Sequence, residues 1–463
     1  MRKMTLLLLT FTLLLSALPA AAANRRTLSR TTPMVAVTGV SNASSGDAPH
    51  RINEVSMLVS TRWIRRFWED RLFCAFMAYP SSTEFPYLIK VAIGIVSSGT
   101  TWSVLSPPLP TGLFDQGDPA LAANPGASGF HPRRTYLAGR SWDPGSGKDE
   151  ITVWHLDGVD TAWAINADIG YNTSTGIAAD NPAIAVSQYS TSLGHVYLAY
   201  IEKGGPQQIV HFYRNPGTDV WSEALLNGVP VYSNSDALNS LRLDVDPTGV
   251  RNTIYLSWVD WTAGTVNVMT STDGGDHWTG PQANTASTFI NSNQFIVNYN
   301  AIFSPTFLGS AFNPYDGSLA VVYHRRKTPG LYDSEVLMEK YSTASGFSGA
   351  QVVSSLSSQD DRWQPAVDCS STTGRCMVAY YDHPSGDPSD TKYNVYDRLV
   401  ESNGASVTGE NDVLLYGTAS DASSLLSHRM EFHDVFYYNG QWLTADVVAT
   451  PSENTSDVVV TFQ

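Results

Sequence analysis

Basic residues are scarce in this chain of 463 residues, where 28 Lys and Arg stand against 43 Asp and Glu for a formal net charge of −15. A surface that acidic repels phosphate backbones and anionic lipid, so nucleic acid and charged membranes are excluded as expected partners. Cysteine is rarer still, with 3 in the chain. That is too few, too widely spaced, for a thiolate metal centre. Long apolar runs are missing after the first twenty or so residues, so no later segment reads as a membrane-spanning helix. Charged residues of both signs reach only 15%. Aromatics, by contrast, are plentiful (22 Tyr, 17 Phe, 12 Trp), as are Gly (35) and Pro (25). That balance suits many short strands and turns better than long helices.

The N-terminus reads as an export leader spanning residues 1–23. Arg2 and Lys3 form a basic head, Thr5 to Leu18 an apolar run, and Ala20 to Ala23 a set of small residues suited to cleavage. The run is short for an uncleaved anchor. The expectation is a secreted or otherwise extracytoplasmic chain, residues 24–463, with no membrane contact after cleavage. Cysteine placement fits that compartment. Cys369 and Cys376 flank a turn-like stretch between two strand-like runs and are expected to form a disulfide across a hairpin, whereas Cys74, within an apolar run, reads as a buried small residue.

A repeat organises the rest. A short apolar strand with a central aromatic or β-branched residue recurs seven times, marked by Phe76, Leu137, Leu198, Leu256, Val321, Val378 and Leu443, at steps of 57 to 65 residues. Self-similarity on that scale, in units made only of strands, indicates radial repetition. Before several markers lie Asp118-Pro119-Ala120, Asn181-Pro182-Ala183 and Gln364-Pro365-Ala366, whose small residues suit a crowded axis. After the markers come third strands and turns, so each unit reads as a four-stranded antiparallel meander. The last unit has only three strands, and Met34 to Val40 belongs to no unit. If that segment completes the seventh unit, the ring closes with no free edge. The fold is therefore expected to be all-β, a seven-bladed β-propeller in one domain whose N-terminal strand closes the last blade. Six blades is the alternative, because Arg62 to Arg71 is basic and alternates poorly.

One turn is written in full: Ser271-Thr272-Asp273-Gly274-Gly275-Asp276-His277-Trp278 has the form S-x-D-x-G-x-x-W. Gly supplies the positive φ of a tight turn, Asp273 accepts from turn amides, and Trp278 folds back as an apolar plug. The motif and the repeat together resemble the sialidase-like Asp-box (BNR-repeat) β-propeller superfamily. In that resemblance Ser271, Asp273, Gly275 and Trp278 are structural, because the box lies on the face away from the ligand-binding loops.

A site is expected on the opposite face, at the mouth of the central channel, where loops between second and third strands meet the blade-linking segments. Residues placed there by the repeat include Asp118, Asp180, Glu202 and Lys203, with Arg140, Trp261, His324, Arg325, Arg326, Arg362, Trp363 and His383 as candidate ligand contacts. Asp143, Asp260, Tyr381 and Asp382 are the candidate catalytic groups. Arginines can grip carboxylates, carboxylates can act as acid, base or hydroxyl acceptor, and tryptophan offers a stacking platform. No cofactor motif is present. Asp382, Asp387 and Asp390 crowd oxygen ligands into one Pro/Gly-rich turn and are the candidate calcium ligands, although their spacing is that of no defined calcium motif. The nearest counterpart of the sialidase Arg-Ile-Pro motif, His50-Arg51-Ile52-Asn53, lacks the proline, and seven blades would depart from the six usual in sialidases. Three functions stay open: a monomeric propeller binding a glycan or an extracellular protein, a carbohydrate-active enzyme of hydrolase or lyase type, and a structural interaction propeller.

Overall fold

A computed structural model describes residues 35–37, 51–64, 67–79, 88–95, 102–124, 133–143, 145–171, 178–187, 194–203, 206–215, 220–224, 231–234, 238–248, 252–284, 297–299, 302–304, 307–326, 334–355, 361–383, 392–415, 420–421, 434–450 and 455–463. The chain divides into residues 1–31, which lie outside the described residues, and a unit from Thr32 to Gln463. The leader assigned to residues 1–23 falls in the first of these.

Thr32–Gln463 is a seven-bladed propeller of antiparallel sheets. The inner strands of blades 1 to 6 are Arg51–Ile64, Asp115–Asn124, Ala178–Val186, Leu238–Val245, Leu308–Asn313 and Asp361–Cys369. The inner strand of blade 7 is Asp434–Tyr438. The recurring markers all fall on second strands: Phe67–Tyr79, Arg134–Asp143, Val196–Lys203, Ile254–Asp260, Ser318–Arg326, Cys376–His383 and Gln441–Thr450. Two of these, Ile254–Asp260 and Cys376–His383, are buried at every position. A second strand has neighbours on both edges and a blade against each face, so period-2 alternation of polar residues is lost.

Blade 7 is closed as expected. Val35–Val37 pairs antiparallel with Thr455–Phe462, in the order N-terminal strand, last strand, second strand, inner strand. The basic stretch in blade 1 is regular rather than irregular. Arg51–Ile64 and Phe67–Tyr79 form one long hairpin whose ladder runs through Arg62↔Glu69 to Ile64↔Phe67. The six-blade alternative falls with that observation. Between blades 4 and 5 the chain adds a small ribbon, Val297–Tyr299 with Ile302–Ser304.

The core is distributed around the ring. An apolar cluster fills each junction between adjacent blades, including blade 7 against blade 1, where Leu443, Val447 and Val460 meet Leu72, Cys74 and Phe76. The Cys369–Cys376 disulfide forms at the end of the blade 6 hairpin, and Cys74 is buried. No helix among the described residues is long and apolar enough to cross a membrane.

The Ser271–Trp278 turn joins the third strand of blade 4, Thr265–Ser271, to the outer strand Thr279–Ala283. Ser271 Oγ donates to Asp273 Oδ1 at 2.8 Å and accepts from the Gly275 amide at 2.8 Å. Asp273 Oδ1 also accepts from the His277 amide at 3.0 Å, and Trp278 Nε1 donates to the Gly275 carbonyl at 3.0 Å. The Trp278 ring, 8% exposed, packs into the core shared by blades 3 and 4.

The X-Pro-Ala segments carry a feature that the sequence pattern does not announce. Asp118, Asn181, Ser240 and Gln364 have left-handed φ between 47° and 54°, each at a bulge in an inner strand. In three of them the following proline disfavours the right-handed helical region. A non-glycine residue held left-handed costs about 1 kcal/mol or more. Bonds to the next blade offset this. Asn181 Oδ1 accepts from the Ser240 amide at 2.9 Å, and Ser240 Oγ bonds both the Leu308 amide (2.8 Å) and carbonyl (3.1 Å).

Candidate functional site

The inner strands surround a channel cavity of about 230 Å³ to which every blade contributes. Carboxylates of the inner strands tie neighbouring blades together. Asp434 Oδ2 accepts from the Met57 amide at 2.6 Å, and Asp368 Oδ2 from the Tyr437 amide at 2.6 Å. Asp244 Oδ2 accepts from Ser310 Oγ at 2.5 Å. Burial pushes Asp244 up to about 6 and Asp368 up to about 7, against the hydrogen bonds that favour their charged forms. Arg242 of blade 4 lies in the field of Asp434 and Asp244.

The blade-linking segments and the loops after the second strands lie on one face, at the starts of the inner strands. In the sector of blades 2 and 3 this face brings together Asp118, Arg140, Asp149, Asp180 and Lys203. Arg140 donates to Asp149 through Nη2 at 2.8 Å, and its guanidinium lies 4.7 Å from the centre of the Trp142 ring. Lys203 pairs with Asp180, which is also hydrogen-bonded to Asp118. Burial works to raise Asp180, but the Lys203 ammonium, the Asp118 hydrogen bond and the Arg140 charge together hold it well below the usual carboxylate range. Burial raises Asp149 despite Arg140.

Apolar surface adjoins these charges. Trp142 is half-buried, and Phe114, whose amide donates to the Trp142 carbonyl at 3.2 Å, is 59% exposed. The Trp142 indole lies over the inner strand at Gly117, where a Cβ would stand 3.3 Å from the ring. A side chain at 117 would press on the indole and on Met77 Sδ, which a Cβ would meet at 3.1 Å. Phe114, Trp142 and Asp149 were not singled out by the sequence. Trp142 lies two residues beyond Arg140 and Asp149 is its register partner on the third strand, so strand pairing was the missing signal.

The structure places the four candidate catalytic groups as follows. Asp143 Oδ1 accepts from the Gly145 amide at 2.8 Å and closes the turn after its strand. Asp260 is buried and accepts from the amides of Thr262 (3.0 Å) and Ala263 (2.8 Å). Tyr381 is buried between Trp363 and Tyr393, and its hydroxyl oxygen accepts from the Val447 amide at 3.3 Å. Asp382 forms a buried ion pair with Arg362 at 3.1 Å.

The candidate contacts divide likewise. His324, Arg362, Trp363 and His383 are buried, and His324 Nδ1 accepts from the Gln364 amide at 3.1 Å. Arg325 pairs with Glu335 at 2.9 Å and Arg326 is half-buried. Trp261 packs against the core between blades 4 and 5. Of the candidate contacts and catalytic groups, Arg140 joins the cluster at blades 2 and 3, beside Asp118, Asp180 and Lys203, which the repeat also places on that face. Asp387 and Asp390 lie outside the described residues. Among those described, no three His, Cys, Asp or Glu side chains are grouped to hold a metal ion.

No protein-family model matches the sequence, and no curated protein matches it. Similarity to solved structures is confined to shape. A Hadza microbial sialidase, Hz136, is 13% identical with a TM-score of 0.45, over 74% of this chain and 65% of that one. The α-L-arabinofuranosidase Arb93A of Fusarium graminearum is 12% identical with a TM-score of 0.48, over 76% and 93%. Trypanosoma rangeli sialidase is 9% identical with a TM-score of 0.44, over 90% and 54%. This chain thus spans less than two thirds of either sialidase. At these identities and TM-scores none of the likenesses bears on what this chain binds.

Proposed function

We propose that the protein is an extracytoplasmic Asp-box propeller that binds a glycan at the channel-mouth face, in the sector of blades 2 and 3, without turning it over. The observation that carries the reading is the aromatic surface of Phe114 and Trp142 beside the hydrogen-bonding groups of Arg140, Asp149 and Lys203. Sugar rings present apolar C–H faces and hydroxyl edges, and such a surface meets both. The hydrogen bonds of Ser271, Asp273 and Trp278 support reading their turn as an Asp-box, and the Cys369–Cys376 disulfide supports an oxidising compartment.

A non-catalytic role is supported by the fate of the four candidate groups, two capping turns and two interior. The second reading, a carbohydrate-active enzyme, is favoured by one observation, the hydrogen-bonded carboxyls of Asp118 and Asp180 at the channel mouth. A glycan array run beside a panel of chromogenic glycosides separates the two. Capture of a glycan by the wild type, lost in Trp142→Ala and Phe114→Ala, with no glycoside cleaved, is the expected result. Turnover that disappears in Asp180→Asn would replace binding with hydrolysis, and capture unchanged in both aromatic variants would remove the site.

A further inference from the structure

The apolar surface does not end at Phe114, and what extends it narrows the glycan class, given the binding reading above. Residues 106–114 link the outer strand of blade 1, Ser103–Leu105, to the inner strand of blade 2. Pro107, Pro110 and Leu113 are buried, whereas Pro108, Leu109, Thr111, Gly112 and Phe114 are exposed. The Leu113 amide donates to the Pro110 carbonyl at 3.2 Å, and Gly112 takes the left-handed φ of 81° that such a turn needs. Leu109 and Phe114 therefore stand on adjacent arms of one turn, 38% and 59% exposed. On its other side Phe114 is joined through its amide to Trp142. Leu109, Phe114 and Trp142 thus form a row across neighbouring backbone arms, which at the sheet spacing of about 5 Å per arm spans roughly 10 Å. The row is anchored before any ligand arrives. Trp154, in the core between blades 1 and 2, donates from Nε1 to the Pro108 carbonyl at 2.8 Å, and the prolines fix their own φ. The segment is also uncharged, since residues 91–114 contain no Asp, Glu, Lys, Arg or His.

A row of apolar side chains suits a ligand that is itself extended. An equatorially linked sugar chain is a flat ribbon that presents C–H groups on the faces of successive rings, so consecutive rings can meet consecutive side chains. We infer that the channel-mouth site continues over this linking segment and takes a linear, ribbon-like glycan of the cello-oligosaccharide kind along its length, with Leu109 as a further contact. The ring over Trp142 offers its hydroxyls to Arg140, Asp149 and Lys203, while Phe114 and Leu109 hold the rings beyond it. Affinity then grows with chain length until the row is covered.

The test is calorimetric titration of the intact protein with glucose, cellobiose, cellotriose, cellotetraose and cellohexaose. Affinity is expected to rise roughly tenfold between cellobiose and cellotetraose and then to level off. That gain should not change as salt is raised, because apolar contact supplies it. Leu109→Ala, at an exposed position outside the turn's hydrogen bond, should remove most of the gain and leave cellobiose binding as in wild type. Affinity that does not change with chain length, or a gain that survives Leu109→Ala, would overturn this inference and leave the glycan site standing. So would a failure to bind any cello-oligosaccharide in a protein that captures another glycan through Phe114 and Trp142. Binding indifferent to Phe114→Ala and Trp142→Ala would overturn the site itself, and this inference with it.

Discussion

His211 is the buried group whose removal should change the protein's response to acid most. It lies on the third strand of blade 3, Gln207–Asn215, with no solvent exposure. Its ring stacks on Tyr197 (centroids 5.8 Å apart, 21° between planes) and meets Trp278 edge-on at 5.3 Å. Gly275, at φ 98°, comes so close that a Cβ there would stand 2.5 Å from the ring. Neither ring nitrogen has a hydrogen-bond partner among the described residues. Burial alone lowers the group to about 3, so the native ring is neutral near pH 7. The unfolded chain binds this proton near pH 6.5 and the folded chain does not until far lower. Stability from this group is therefore full above the unfolded value and is lost as pH falls below it.

The full gap corresponds to roughly 5 kcal/mol at about 1.4 kcal/mol per unit, and the portion between pH 7 and pH 5 to roughly 2 kcal/mol. In His211→Leu, a substitution of similar volume, the loss of two unpaired ring nitrogens offsets the loss of ring stacking. Stability at pH 7 should then stay within about 1 kcal/mol of wild type. At pH 5 the variant should be more stable relative to wild type by roughly 2 kcal/mol than it was at pH 7. The assay is urea unfolding followed by tryptophan emission at pH 7, 6 and 5. Only the difference between the two proteins is used, because Asp244 and Asp368, raised by burial, make both of them more stable toward acid and would mask the histidine in either alone. A wild-type-to-variant gap that does not move with pH would refute the reasoning, since it would mean a native ring that keeps its proton.

Two further expectations follow from the bonds between blades. Ser240→Ala removes the hydroxyl that holds the amide and carbonyl of Leu308 while keeping the left-handed backbone, and should cost about 2 kcal/mol in urea unfolding; a cost near zero would mean the junction of blades 4 and 5 does not depend on it. Asp368, raised to about 7 by burial, contributes stability that is full below the unfolded carboxylate value and is lost as pH rises through 7. Asp368→Asn keeps an acceptor for the Tyr437 amide and cannot ionise, so it should flatten the decline in melting temperature between pH 6 and 8 relative to wild type. An unchanged slope would assign that decline to other groups.

Much of the architecture was legible because it is repetitive. Seven central strands must each be apolar on both faces, which marks them in the chain at a near-constant step, from Phe76 to Leu443. The Ser271–Trp278 turn was legible for a local reason, since its bonds run among residues at most four apart. The N-terminal strand could be assigned to blade 7 because an unpaired strand and a three-stranded unit leave one closed solution. The site was a different matter. A residue at the end of a second strand, such as Asp382 or Tyr381, looks available in the sequence. Whether it faces the rim or the neighbouring blade depends on bulges and on what the next inner strand presents, and Arg362 and Val447 lie 20 and 66 residues from their partners. Periodicity fixed the ring. Only packing of blade against blade decided that Trp142 stays near the surface over Gly117 while Trp363 disappears beneath it.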